Sequence, residues 1–318
     1  MKPDRLFRSV QTPISSAQQG STFLENGSET PIASEENSHE GWVYRAIWYL
    51  VNGALAVALL LVIYSTAWEY STRRYLKGFS DAIVPVSASP VEKIDAILTW
   101  MSHGPARNSA GPDGMKPDRD PTETLNYNAL LRVCGTATNA FINLTDSGGL
   151  EARRLLLLDS RRQTKHVSAE VLVDGRWIVV DPAFRAILRG ADGQPLTRSQ
   201  LVDPGTFAAA TRGIAGYDPN YSYESTVHIR IGRLRFVGKP LRWFLDRVLP
   251  GWEESSTVSL IAERASLAAM WVTILSAILI LFVRLALRWY GERRLGVHPT
   301  RLRQQIRRAF HAFVDTAG

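Results

Sequence analysis

The stretch KHVSAEVLVDGRWIVVDP, residues 165–182, has the pattern of two strands joined by a short turn. Apolar and polar residues alternate on both sides of Asp174 and Gly175, and an Asp-Gly pair between such runs is typical of a two-residue hairpin turn. That turn needs a positive φ at both central residues, and it places Val173 opposite Arg176. The stretch therefore predicts two antiparallel strands with a fixed register.

This register brings a histidine and an aspartate to the same face of the hairpin. Ser168 pairs with Asp181, and His166 lies two residues before Ser168, so the His166 and Asp181 side chains share a face. Such diagonal neighbours are within reach of an imidazole–carboxylate hydrogen bond. A histidine that acts as a general base needs a carboxylate to orient it. The alternative is a surface histidine that merely lies near a strand-ending aspartate.

The chain has one cysteine, Cys134, in the stretch LLRVCGTATNAF at residues 130–141. One cysteine cannot form an internal disulfide, so outside the cytoplasm it is a free thiol. We predict a helix over about residues 130–144, and Gly135 and Thr136 suit the first turn of a helix. A helix N-terminus stabilises a thiolate, which favours a reactive cysteine. The alternative is a buried thiol that packs as a small hydrophobic side chain.

Together, these motifs resemble the core of the transglutaminase-like superfamily. The matching elements are Cys134 at a helix start, Gly149-Leu150-Glu151-Ala152-Arg153, His166 with Glu170-Val171, and Trp177 with Asp181-Pro182. The resemblance covers residues 89–184. The chain departs from the family pattern at two places. Leu131-Arg132-Val133 replaces the glycine that usually precedes the cysteine, and Val167 and Ser168 follow the histidine where the family often has an aromatic residue.

The resemblance implies an α+β, papain-like core in which the cysteine-bearing helix packs on an antiparallel sheet. It also implies that Cys134 is the nucleophile, that His166 shuttles the proton and that Asp181 fixes the histidine tautomer. The Cys134 N–H and a second donor, for which Tyr127 and Asn128 are candidates, would hold the oxyanion.

The implied reaction is acyl transfer on amide bonds of a protein or peptide, with hydrolysis by a peptidase or amidase favoured over amine cross-linking. We expect no cofactor, whether organic or metal. The alternative function is a non-catalytic, membrane-anchored binding or assembly protein that uses the same fold.

Two uncharged runs predict transmembrane helices. Residues 46–68 and 265–283 contain 23 and 19 residues without a charge, enough to cross about 30 Å of hydrocarbon. Aromatic residues lie near their ends, as is typical at membrane interfaces: Trp42, Trp48, Trp68, Trp289 and Tyr290. Because a polar tail precedes the first run, a cleaved signal peptide is not expected.

Basic residues predict the orientation. The second run is followed by Arg284, Arg288, Arg293, Arg294, Arg301, Arg303, Arg307 and Arg308, which should stay in the cytoplasm. Two spans then place the N-terminus there too, and residues 69–264 lie outside the cytoplasm at the inner (plasma) membrane. Arg73, Arg74 and Lys77 argue the other way, but they are fewer. The basic residues behind the net charge of +7 thus lie mostly beside the two spans. The expected partner is therefore the lipid bilayer and not nucleic acid, and a complex with other membrane proteins stays open.

The remaining segments complete the predicted organisation. Residues 1–41 form a disordered cytoplasmic tail, residues 284–318 a basic cytoplasmic tail, and the transglutaminase-like core covers about residues 89–190. Ser89, Pro90 and Glu92 predict a capped helix start, and a loop follows over residues 103–123. Residues 203–223 are rich in turn-forming residues. The basic and apolar pattern of residues 230–252 suits a segment at a membrane surface, or else a helix that packs on the domain.

Overall fold

The protein is described by a computed structural model that covers residues 33–103, 125, 133–229 and 238–294. The helices of these residues are α1 (Ala33–Ile83), α2 (Pro90–Ser102), α3 (Cys134–Ser147), α4 (Pro204–Thr211), α5 (Gly238–Val248), α6 (Ser256–Glu263) and α7 (Ala265–Arg294). The strands are β1 (Ala152–Leu158), β2 (Thr164–Val173), β3 (Arg176–Asp181), β4 (Ala186–Ile187) and β5 (Thr226–Val227). Short 3-10 turns cover Gln200–Val202 and Trp252–Glu254.

The five strands form one antiparallel sheet in the order β4-β3-β2-β1-β5. The central hairpin has the predicted turn, with φ of 48° at Asp174 and 77° at Gly175, and Val173 pairs with Arg176. Both positive φ values are those of a type I′ turn, whose twist matches that of the flanking strands. The α+β class and the hairpin register are therefore confirmed.

The α2 helix begins as the sequence predicts. The Ser89 side chain accepts a hydrogen bond from the Glu92 N–H, the Glu92 carboxylate accepts one from the Ser89 N–H, and Pro90 occupies the first turn. This reciprocal capping satisfies backbone donors that a helix start leaves unpaired. One face of the helix is buried, and it consists of Ile94, Ile97, Leu98 and Met101.

The α3 helix, which begins at Cys134, is the centre of the domain core. Every residue from Gly135 to Thr145 is buried, because the helix packs against the sheet, α1, α2 and α6. Phe141, Ile142 and Leu144 are fully buried in the main hydrophobic cluster. The sequence predicted this helix over about residues 130–144. Residues 126–132 lie outside the described residues. At its other end the helix continues to Ser147, and Gly149 follows with a positive φ of 80°.

Among the described residues, two helices are long and apolar enough to cross a membrane: Trp42–Ile83 of α1 and Ala265–Arg294, which is all of α7. Only 6% and 11% of their most apolar stretches are buried, whereas a core helix would be mostly covered. The 51 residues of α1 extend about 75 Å at 1.5 Å per residue, well beyond a hydrocarbon layer. The last turns of α1 therefore reach the domain core, where Leu76 is fully buried.

Several boundaries differ from the expected ones. The α1 helix begins at Ala33, inside the tail expected to be disordered, and residues 1–32 lie outside the described residues. The α7 helix continues to Arg294, into the expected basic tail, and residues 295–318 lie outside the description. So do residues 104–123 of the expected loop and residues 230–237 of the basic segment.

The domain core also extends past the expected limits of residues 89–190. The end of α1 covers one side of it, and α6 packs on α3 and β1 on another. The segment expected to be rich in turns begins with the helix α4, where Asp203 caps the first turn through the Thr206 N–H. An Asp-Pro pair at a helix start is a recognised signal, so this helix was predictable.

Candidate functional site

His166 and Asp181 form a buried hydrogen-bonded pair on the hairpin. The Nε2 atom of His166 lies 2.6 Å from Oδ2 of Asp181, and neither side chain is exposed to solvent. Strand β2 carries the histidine and strand β3 ends at the aspartate, and the Ala169–Val180 pairing sets the diagonal between them. The geometry is the one that the Asp-Gly turn predicts.

Backbone donors hold the other oxygen of the Asp181 carboxylate. Oδ1 accepts hydrogen bonds from the N–H groups of Ala183 (3.1 Å) and Phe184 (3.3 Å) in the turn that follows β3. Tyr217 also interacts with Asp181 by hydrogen bonding and charge, and burial together with the Asp181 charge raises the pKa of Tyr217 well above its usual value. The phenol therefore stays protonated and remains a donor to the carboxylate. These contacts hold the Asp181 carboxylate in one orientation beside His166.

The Cys134 side chain acts on the same imidazole. Burial disfavours the charged ring, but the charge and hydrogen bond of Asp181, followed by the hydrogen bond and charge of Cys134, outweigh it and raise the pKa of His166 to about 9. Nδ1 of His166 is buried, and among the described residues it has no partner in ordinary hydrogen-bond geometry, so the contact between the imidazole and the Cys134 sulfur is a loose one. Because Asp181 occupies Nε2, Nδ1 is the nitrogen left for the sulfur. Loose alignment of such a pair is common before substrate binds.

The position of Cys134 follows from the start of α3. The residue before it, Val133, has an extended backbone and no side-chain acceptor, so it does not cap the first turn. Cys134 is half-buried and packs against a small cluster of Leu156, Leu158 and Val167, the last of which follows His166 on β2. One turn further along α3, the Thr138 hydroxyl donates to the Val167 carbonyl at 3.1 Å. This contact fixes the start of the helix against the strand that carries the histidine.

Aromatic rings surround His166, and the sequence analysis did not identify them. The Tyr221 ring stacks on the imidazole with centroids 4.5 Å apart and planes 14° apart. Tyr217 and Phe184 contact it at 6.2 and 5.7 Å, and the Tyr217 hydroxyl lies 3.3 Å from that of Tyr223. These tyrosines come from the segment after α4. An aromatic ring therefore lies directly against the imidazole, and it comes from a segment distant in sequence.

Three of the motif residues, Glu170, Arg153 and Trp177, form a second cluster. Glu170 is buried, with its Oε2 atom 2.8 Å from both Arg153 Nε and His228 Nε2. Burial raises the pKa of Glu170, but the hydrogen bond from His228 and the charge of Arg153 outweigh it and hold that pKa below its usual value. The Arg153 guanidinium lies 4.0 Å above the Trp177 ring and also pairs with Glu254 at 3.0 Å. This cluster joins β1, β2 and β3 to the chain before α6.

The structure brings the three predicted site residues, Cys134, His166 and Asp181, together at one end of the hairpin. The candidate oxyanion donors Tyr127 and Asn128 lie outside the described residues. Within the described ranges, no group of three or more histidine, cysteine, aspartate or glutamate side chains could hold a metal ion.

Comparison with known proteins gives no match to a family model, to a curated protein or to a solved structure.

Proposed function

We propose that this protein is a membrane-anchored, transglutaminase-like thiol enzyme that transfers acyl groups from amide bonds. One observation carries the proposal: the 2.6 Å hydrogen bond between buried His166 and Asp181 leaves the other side of the imidazole to Cys134. A nucleophile, a base and a group that orients the base are the three components of cysteine acyl transfer. On this proposal, the sheet and α3 form a papain-like core.

The first step forms an acyl-enzyme. With a pKa of about 9, His166 is protonated at neutral pH and stabilises a Cys134 thiolate beside it. The thiolate attacks the carbonyl carbon of the substrate amide, and the Cys134 N–H at the start of α3 stabilises the oxyanion that forms. The C–N bond then breaks, and His166 gives its proton to the leaving amine. The product is a thioester on Cys134.

The second step releases the acyl group. Neutral His166 accepts a proton from water as its oxygen attacks the thioester carbonyl, and the C–S bond breaks to restore the thiolate and the imidazolium. Hydrolysis gives a carboxylic acid, as in a peptidase or amidase, and it remains the favoured outcome. If an amine attacks instead of water, the same intermediate yields a cross-link.

The proposed location is the plasma membrane, with α1 and α7 crossing it and the domain between them outside the cytoplasm. The α5 helix supports a position at the lipid surface, because its aromatic residues Trp243 and Phe244 are 69% and 53% exposed and Val248 is 53% exposed. Arg242 and Arg247 on the same helix suit anionic headgroups. We therefore propose a protein or peptide substrate that lies close to the membrane.

Alkylation of the full chain in lipid nanodiscs by iodoacetamide, followed from pH 5 to 10, tests the proposal. We expect Cys134 to react as a thiolate well below pH 8, since an ordinary thiol has a pKa of about 8.5. His166→Gln should shift the profile toward that of an ordinary thiol, whereas the matched variant of an exposed histidine, His103→Gln, should not. Ordinary thiol behaviour in the parent protein would instead support the non-catalytic binding protein.

A further inference from the structure

Arg264, the residue between α6 and α7, is a buried branch point. Its side chain is 1% exposed, and its three nitrogens reach three different acceptors. Nε donates to Asn143 Oδ1 at 2.8 Å, Nη1 lies 3.2 Å from Glu69 Oε1, and Nη2 lies 2.8 Å from Asp146 Oδ2. Asn143 and Asp146 belong to α3, the helix that Cys134 begins. The guanidinium therefore joins α3 to Glu69 of α1.

Glu69 lies where the uncharged run of α1 ends, and its side chain is 3% exposed. Its Oε2 atom accepts a hydrogen bond from the Ser266 hydroxyl at 2.7 Å, in the first turn of α7. On the solvent side, Arg73 contacts Oε1 at 2.7 Å. The two apolar helices are thus joined at their domain ends by one carboxylate, which also binds the Arg264 branch point.

The residue before Arg264 reaches the other end of α3. Asn139 donates to both the backbone carbonyl and the carboxylate of Glu263, which is buried. The Glu263 carboxylate also pairs with Arg154 of β1 at 2.9 Å. The Arg154 guanidinium in turn donates to the Gly135 carbonyl at 3.0 Å, and Gly135 follows Cys134 directly. Contacts from Glu263 and Arg264 therefore extend along α3 from its first turn to its last.

Charged groups in such a buried network do not separate gradually. A buried ion that loses its partner keeps its desolvation cost without the compensating attraction, so the pairs favour staying together. Hydrogen bonds between buried groups also strengthen one another in a medium of low dielectric constant. A change in how α1 packs on α7 would therefore pull on the contacts that these groups make with α3.

We propose that Glu263 and Arg264 are positioning residues for Cys134, and that the packing of α1 against α7 controls the reactivity of this cysteine. The inference rests on the proposed function, because it assigns regulation to the same site. It gives the two apolar helices a role beyond anchoring: a partner or bilayer that changes their packing would change the rate of acyl transfer. Both residues are buried, so they would act through α3.

The test measures the alkylation of Cys134 against pH in the full chain in nanodiscs, for the parent, Arg264→Met, Arg264→Lys and Glu263→Gln. Arg264→Met and Glu263→Gln should raise the apparent pKa of the reaction by about one unit, which lowers the rate about tenfold at pH values below the apparent pKa of the parent. Arg264→Lys keeps the charge but not the three-way fork, so its profile should lie between them and the parent.

Asp81→Asn is the matched control, since it removes an exposed ion pair within α1, Lys77 to Asp81, without touching the network or the contact between the two apolar helices. It should react like the parent. Circular dichroism measures the folded fraction, and Arg264→Lys and Glu263→Gln decide the outcome if Arg264→Met does not fold. A purely structural role would lower the folded fraction and leave the pH profile unchanged, and that result would overturn the inference. An ordinary thiol profile in the parent would instead reject the proposed function.

Discussion

His166 Nε2 lies 2.6 Å from Asp181 Oδ2 in a region that solvent does not reach. A hydrogen bond to a charged acceptor is stronger in such surroundings than in water. The pair also decides which ring nitrogen is available, because Nε2 is taken and Nδ1 remains for the Cys134 sulfur. One rigid hairpin thus sets both the tautomer and the orientation of the proposed base.

Asp181→Asn should lower the rate of acyl-enzyme formation by about a hundredfold or more, because the histidine loses its orientation and its tautomer control. The rate can be followed by labelling Cys134 with an electrophilic acyl probe. Asp192→Asn is the control: Asp192 also accepts a turn hydrogen bond, from the Gln194 N–H, but it is exposed. Equal labelling of both variants would show that His166 and Asp181 are not a catalytic pair.

Stability should depend on pH through His166. Its folded pKa of about 9 exceeds the ordinary value of 6.5, so the folded protein holds a proton that the unfolded chain releases. This stabilisation, about 3 kcal/mol, should be complete below pH 6.5 and should be lost as the pH rises through about 9. Thermal unfolding in detergent, compared between the parent and His166→Gln, should show a difference that shrinks over this range. A constant difference from pH 6 to 9.5 would contradict the shifted pKa.

The Tyr221 ring should protect the His166–Asp181 hydrogen bond from water. Tyr221→Phe keeps the stacked ring and should retain most of the acyl-probe reactivity. Tyr221→Ala removes it, and we expect a loss of about tenfold, because water weakens the electrostatic interaction between the imidazole and the carboxylate. If Tyr221→Phe and Tyr221→Ala react with the acyl probe at equal rates, the ring has no protective role.

The orientation in the membrane can be tested with reporters. A reporter inserted after Gly213, an exposed position that follows α4, should be active outside the cytoplasm. A fusion after Gly318 should be active in the cytoplasm, since the arginines beyond the second apolar run hold that end inside. The reverse pattern would place Cys134 in a reducing compartment and would overturn the predicted topology.

Local signals explain what the sequence predicts well. The Asp174-Gly175 turn determines the hairpin register, because few residues tolerate a positive φ at both turn positions. From that register alone, the His166–Asp181 contact follows. The capped start of α2 and the two uncharged runs are equally local patterns, and α4 could have been found from its Asp203-Pro204 start.

Contacts between distant residues could not be predicted in this way. Tyr217 and Tyr221 reach His166 from a segment that looks like an irregular loop, and no periodicity points to their target. Glu69 and Arg264 are 195 positions apart, and each looks like the polar end of an apolar run. Their pairing depends on how α1 and α7 pack, which a single sequence does not display.

The most direct test of thiol-dependent acyl transfer is to trap the acyl-enzyme. The full chain in nanodiscs is incubated with p-nitrophenyl acetate at pH 7, quenched in acid and analysed by peptide mass spectrometry. We expect a burst of nitrophenol and an acetyl group on the peptide that contains Cys134. Both should be absent in Cys134→Ala and strongly reduced in His166→Ala, while His103→Gln behaves like the parent. A parent protein that shows no burst and no acetylated Cys134 would rule out thiol-dependent acyl transfer.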